Sequence, residues 1–246
     1  MLKIAHFSDL HLTSGNQSIW GVNTYDNFYK AIRLLNGIND IDAILVTGDI
    51  SDDGSLESYQ TADALFKQSS IPTYWCPGNH DSMDFFKSQR EQYSKIVRSV
   101  IIKGYKIVFV NSVVEDKDCP NKNRSRGKIT QKELEYIKKA ISSDDLPVII
   151  AMHHPSYSMN SWLDEKILIN KEKFNKFVSF KNVKLVLFGH VHHFHVYRYT
   201  NPFVASASSI GFAFKKDLPK FQIDKGGEGF SILEINDEIT IRNFKI

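Results

Sequence analysis

The sequence predicts an α/β fold built on two β-sheets packed against each other. Two observations predict it. Through the first two thirds, short apolar runs alternate with segments of helical spacing, the pattern of α/β layering. The last third then turns strand-like, with no helical segment between its apolar runs. The buried strands expected are residues 4–7, 43–46, 73–75, 107–110, 148–152 and 185–188, each a near-continuous apolar run ending in polar or glycine-rich residues. Between them, apolar positions recur at helical spacing over 25–38, 56–66, 130–141 and 171–178. Residues 194–199, 202–205, 230–235 and 239–244 are expected to form a second sheet packed on the first. Asn236-Asp237-Glu238 reads as a hairpin connection and residues 225–229 as a glycine turn. That turn lacks the Lys-Ser/Thr ending and following helix of a phosphate-binding loop.

A length of 246 residues suits one large α/β core, so residues 1–246 are expected to form one domain. A net charge of only +3, without a long block of one sign, argues against a nucleic-acid or membrane binder and leaves a small anion as the compatible partner. Cys76 and Cys119 cannot build a disulfide framework, and neither has a neighbour at metal-ligand spacing. The chain runs from Met1 directly into strand-like residues, without the head and apolar run of a signal peptide. No apolar run reaches the ~20 residues that span a bilayer. A cytoplasmic location is therefore expected, with no membrane partner; a homodimer stays open. The polar segment 115–128, with Arg124 and Arg126, reads as an exposed loop, with reach over a site as its alternative.

Five polar clusters follow strand-like runs: Asp9-Leu10-His11, Gly48-Asp49, Gly78-Asn79-His80-Asp81, His153-His154-Pro155 and Gly189-His190-Val191-His192. Ligands of α/β sheets gather at the carboxyl ends of strands, so all five are expected to converge. Any one alone is an ordinary turn; five in succession are the patterning of a metal cage.

In this order the clusters resemble the signature of calcineurin-like metallophosphoesterases. The similarity covers nearly the whole chain and extends to the class III cyclic-nucleotide phosphodiesterases, through Trp162-Leu163-Asp164, Leu168, Asn170 and Phe221-Gln222-Ile223-Asp224 before Gly229-Phe230. The resemblance implies a four-layer αββα sandwich and two divalent metal ions. It makes Asp9, His11 and His192 ligands of one ion, Asn79, His153 and His190 of the other, and Asp49 the bridge.

Imidazole and carboxylate or amide oxygen suit manganese, iron, cobalt or zinc, and the absence of thiolate argues against copper(I) or an iron–sulfur cluster. Two such ions bring four positive charges against two from Asp9 and Asp49, so a phosphodiester anion is attracted and a metal-bound hydroxide is the expected nucleophile. His80 is the candidate proton donor to the leaving alkoxide, with Asp81 expected to hold its tautomer. Either His153 or His154 fits the ligand position by type; the motif match favours His153, and Pro155 restricts His154. Asp52 and Asp53 are candidates to orient a ligand imidazole or to cap a helix. His6, His193 and His195 read as core or supporting residues, and Trp20, Tyr25, Trp162 and Phe212 as core aromatics or base-stacking residues. The expected reaction is hydrolysis of a phosphodiester, with a 3′,5′-cyclic nucleotide such as cyclic AMP as substrate. The alternatives are a phosphomonoesterase, a glycerophosphodiester hydrolase or a non-catalytic scaffold.

Overall fold

The computed structural model describes residues 1–89, 91–114 and 125–246. Cys119, Arg124 and residues 115–124 of the polar segment lie outside them.

The amino-terminal half is strand–helix alternation. β1 (Leu2–Phe7), α1 (Thr24–Leu35), β2 (Ala43–Thr47), α2 (Leu56–Lys67) and β3 (Thr73–Cys76) give three parallel strands with their helices between them. α3 (Met83–Ser88), a half-exposed β4 (Ser99–Ile102) and β5 (Tyr105–Val110) lead into α4 (Gln131–Ser142), β6 (Val148–Met152), α5 (Lys171–Val178) and β7 (Val183–Phe188). β5, β6 and β7 are again parallel neighbours. The helices start where side chains satisfy free backbone N–H groups. Asn23, Ser55, Ser82 and Thr130 each accept an N–H three residues on. α1 stops at Leu35, short of the expected residue 38, because Asn36-Gly37 closes its last turn.

The last third departs from expectation. It does not form a sheet of its own. β8 (His195–Arg198) and β9 (Phe203–Ser206) extend the β4-β5-β6-β7 sheet, with β9 parallel to β7. β10 (Gly229–Ile235) and β11 (Ile239–Lys245) join the other sheet, in the order β11-β10-β1-β2-β3. The reason lies in β1. It is buried along most of its length, and β2 satisfies only one of its edges. A buried strand edge must find backbone partners, and the C-terminal hairpin supplies them.

Side-chain alternation then sets four layers. Ile4, Leu45, Ile149 and Leu187 point between the sheets, into one apolar cluster. Phe7, Val46 and Tyr59 pack with α1 and α2 on one outer face, and Val186, Phe188 and Phe174 with α4 and α5 on the other. The result is the αββα sandwich. Among the described residues, no helix is long and apolar enough to cross a membrane.

His6 is fully buried in this core, with Nε2 against the Thr47 hydroxyl at 2.9 Å and Nδ1 without a partner. Burial lowers its pKa from 6.5 to about 3, against a smaller opposing pull from Asp9. The folded chain thus refuses a proton that the unfolded chain binds below pH 6.5. Stability present at neutral pH is lost as pH falls from there toward 3, at ~1.4 kcal/mol per pH unit from this group. Urea unfolding of the metal-free protein between pH 7 and 5 should show a shallower acid decline in His6→Gln than in the native chain; parallel declines would contradict the assignment.

Candidate metal centre

All seven sequence-predicted ligands lie immediately past the carboxyl ends of parallel strands, three strands from one sheet and two from the other. Asp9 and His11 follow β1, Asp49 follows β2, Asn79 follows β3, His153 follows β6, and His190 and His192 follow β7. The strand ends stay level because the registers do: Phe7 stands opposite Val46, Thr47 opposite Cys76 and Ala151 opposite Leu187.

To turn inward within two to four residues of a strand, the backbone must leave the extended region. Asp9, His11, Asp49, His190 and His192 all adopt left-handed φ, between 47° and 72°. Each such non-glycine residue costs on the order of 1 kcal/mol, a strain that clusters where geometry serves function. Glycines make the closure possible. A Cβ on Gly78 would stand 2.1 Å from an Asp49 carboxylate oxygen, and one on Gly189 would stand 2.0 Å from Ser8 Oγ.

The seven side chains are buried, and their neighbours fix which atoms face the centre. His192 Nδ1 lies 2.6 Å from the Phe212 carbonyl, and His153 Nδ1 lies 2.7 Å from the Thr47 carbonyl. A carbonyl only accepts, so both Nδ1 atoms donate, and in the neutral rings both Nε2 atoms turn a lone pair inward. His11 Nδ1 likewise meets the Asp52 carboxylate at 2.9 Å. The inward atoms then crowd together. His11 Nε2 and His192 Nε2 are 3.0 Å apart, and Asp9 Oδ1 lies 3.3 Å from the latter. His153 Nε2 has Asn79 Oδ1 and His190 Nδ1 both at 3.1 Å. Asp49 Oδ2 stands between the groups, 3.6 Å from His11 Nε2 and 3.3 Å from His153 Nε2.

Converging lone pairs repel unless a cation lies among them. Asp9, His11, Asp49 and His192 form one such cluster, and His153, His154 and His190 another. With the Asn79 amide these make five imidazoles, two carboxylates and an amide, and with three imidazole tautomers already set from behind the set fits two divalent cations.

Asp52 is the carboxylate that joins this centre to His80. Its Oδ1 reaches His11 Nδ1 at 2.9 Å and His80 Nδ1 at 3.2 Å. Partial desolvation opposes charge on His80, but the Asp52 hydrogen bond and the nearby Asp49 carboxylate outweigh it and raise the imidazole to about 9. His80 is exposed, and its ring meets His11 edge-on at 4.8 Å.

Asp81 does not hold His80, which corrects the sequence expectation. Its oxygens accept the backbone N–H groups of Gly78, Ile50 and Ser51 and the Tyr59 hydroxyl. Asp81 therefore clips the β2 and β3 loops together, leaving no lone pair aimed at His80. Asp53 binds Ser14 and Ser55 backbone N–H groups rather than an imidazole, and Ser55 is the cap of α2.

His153 and His154 part company at their side chains. His153 points among Asn79, Asp49 and His190, whereas His154 Nδ1 bonds the Ser112 hydroxyl at 2.8 Å and leaves Nε2 buried without a partner. Gly127, in the described end of the polar segment, lies directly against the His154 ring. His195 is partly buried and packs edge-on against Tyr197. Sequence reasoning missed the Thr47 and Phe212 carbonyls, since a backbone contact leaves no residue-type signature.

Comparisons with known proteins agree with this geometry. The model of the calcineurin-like phosphoesterase family matches residues 2–194. A Nostoc protein named 3′,5′-cyclic-nucleotide phosphodiesterase is 31% identical, over 95% of this chain and 88% of that protein. The 3′,5′-cyclic adenosine monophosphate phosphodiesterase CpdA of Haemophilus influenzae is 26% identical, over 98% of this chain and 88% of its own. A dimetal phosphatase from Danio rerio shares the fold, with a TM-score of 0.72 at 11% identity, covering 98% of this chain and 95% of that one. A match over most of the sequence, on a sandwich whose strand ends gather two clusters of metal-binding side chains, places this chain in the calcineurin-like phosphoesterase family of dinuclear metal-dependent hydrolases.

Proposed function

We propose that the chain hydrolyses a phosphodiester bond, with a 3′,5′-cyclic nucleotide such as cyclic AMP as its substrate. The observation that carries this reading is the convergence of seven buried donor atoms beside an exposed, raised-pKa imidazole. The nucleotide assignment is supported by relatives named for that activity over nearly their whole length.

Asp9, His11 and His192 would hold one ion, Asn79, His153 and His190 the other, and Asp49 would serve both. Manganese, iron, cobalt and zinc suit the set. Once bound, such ions polarise phosphoryl oxygens and acidify water, the two needs of in-line phosphoester hydrolysis. Asn79 brings an uncharged oxygen, so the site retains net positive charge for an anionic diester.

The remaining work falls to His80. An alkoxide leaves poorly unless protonated, and an imidazole raised to about 9 by Asp52 and Asp49, against partial desolvation, is charged at neutral pH. It donates that proton to the departing oxygen while Nδ1 stays against Asp52, and the neutral ring regains a proton from solvent. Asp52 acts on both sides, orienting the His11 ring from behind and keeping His80 protonated.

Three outcomes are expected. Manganese-loaded protein should turn over cyclic AMP faster than an aryl phosphodiester or an aryl phosphomonoester; turnover of the aryl esters alone would discard the nucleotide, and metal binding without any turnover would favour a scaffold. His80→Ala should keep its two equivalents of metal by elemental analysis and slow diester hydrolysis by about 10² to 10⁴, whereas Asp49→Ala should lose metal and activity together. Equal metal loss in both variants would refute the division of roles. Asp52→Asn should weaken metal affinity by about 10- to 100-fold, measured by chelator competition, and an unchanged affinity would remove Asp52 from the support of His11.

A further inference from the structure

Two large aromatic side chains stay exposed at one side of the metal centre. Trp20 is 60% exposed and Phe221 46%, and their rings meet edge-on at 4.8 Å. Beneath them lie two buried rings that touch the candidate ligands. Phe212 is 4.8 Å from Trp20 and 4.7 Å from both His11 and His192. Phe214 is 5.1 Å from Phe221 and stacks on His192 at 4.2 Å, nearly parallel. The exposed pair is thus one ring removed from the imidazoles of one half of the centre.

The backbone under Trp20 is costly. Ile19 and Val22 exchange backbone hydrogen bonds of 3.0 and 2.9 Å, which makes Trp20 and Gly21 the central residues of a two-residue turn. Both have positive φ, 48° and 77°. A type I′ turn of this kind prefers asparagine, aspartate or glycine at its first central position. A bulky ring there is strained, and with most of the indole in water its burial does little to offset that strain. Strain held at an exposed ring beside a reactive centre points to a ligand.

We propose that Trp20 and Phe221 form a shelf that stacks the planar base of the phosphoester substrate, so that the site selects phosphoesters carrying an aromatic ring over aliphatic ones. The identity of that ring as a nucleotide base rests on the proposed phosphodiesterase function; the preference for an aromatic ring does not. Stacking on an aromatic face tolerates any planar ring, so a nitrophenyl ester should benefit as a nucleotide does. The phosphoryl group then lies toward His11 and His192, with the His80 ring edge-on to His11 at 4.8 Å.

Trp20→Asn is the informative variant, because asparagine suits the turn and should raise the melting temperature while removing the ring. With manganese-loaded protein, kcat/KM for cyclic AMP and for bis(4-nitrophenyl) phosphate should fall about tenfold, mainly through KM, while glycerophosphocholine hydrolysis should change less than twofold. Trp20→Phe should retain most of the selectivity. AMP should quench tryptophan fluorescence in the native protein, and most of the quenching should vanish in Trp20→Asn although Trp75 and Trp162 remain. Equal effects on aromatic and aliphatic esters, or retained quenching, would overturn the shelf. So would an altered oligomeric state with selectivity intact, which would assign the patch to a second copy of the chain. A native protein that cleaves the nitrophenyl diester but not cyclic AMP would refute the nucleotide alone, and the ratio of nitrophenyl to aliphatic hydrolysis would still decide the shelf.

Discussion

The structure is organised around mutual repulsion among buried lone pairs. Asp9, Asp49, Asn79 and four imidazoles bring their donor atoms to within 3 to 4 Å of one another and away from water. Such a set is unfavourable on its own terms and becomes favourable only with positive charge among its members. Everything nearby keeps the donors from relaxing. The Thr47 and Phe212 carbonyls and the Asp52 carboxylate occupy the opposite nitrogens of three rings. Asp81 anchors the β2 and β3 loops through three backbone N–H groups, and the His190 backbone N–H binds Asp9.

That arrangement needs a platform that does not yield. The left-handed residues at the strand ends cost conformational energy which the loops cannot recover by themselves, since most of their side chains are committed to the centre. The sandwich recovers it. Apolar residues between the sheets and under each helical layer hold five strand ends in fixed register, and the loops inherit that register. The C-terminal hairpin contributes in the same way, because without β10 the outer edge of β1, the strand carrying Asp9 and His11, would be unpaired.

Much of this was legible in the sequence. A parallel buried strand announces itself as an apolar run, and a ligand at its end announces itself as the polar residue that breaks the run. Six strands and the seven clustered side chains follow from that rule. The sheet membership of the last third was not legible, because β8 to β11 have the same composition whichever sheet accepts them; the choice is made by the open edge of β1, a property of distant residues. The partner of His80 failed for a related reason. Asp81 is adjacent in sequence, but successive side chains leave the backbone in different directions, and Asp52, 28 residues earlier, arrives through the β2 loop. The carbonyl contacts that fix the tautomers carry no residue-type signal at all.

The two halves of the centre are walled differently, and the difference bears on how a substrate meets it. His153 and His190 are backed by His154, Ser112 and Gly127, all buried. His11 instead borders the exposed His80 imidazole and the buried Phe212 ring, which carries the exposed Trp20. Approach is therefore easier past His11 than past His153. A diester entering there would meet the His80 imidazole and a planar apolar surface, each one ring away from His11 or its neighbour Phe212. A cyclic nucleotide presents a leaving oxygen and a base on different edges of its sugar, so it matches that pair of features in a way that a simple monoester does not. The asymmetry also accounts for the placement of Asp52. A carboxylate set behind His11 reaches both that ring and the exposed His80 imidazole, whereas His153 is backed by the buried Thr47 carbonyl.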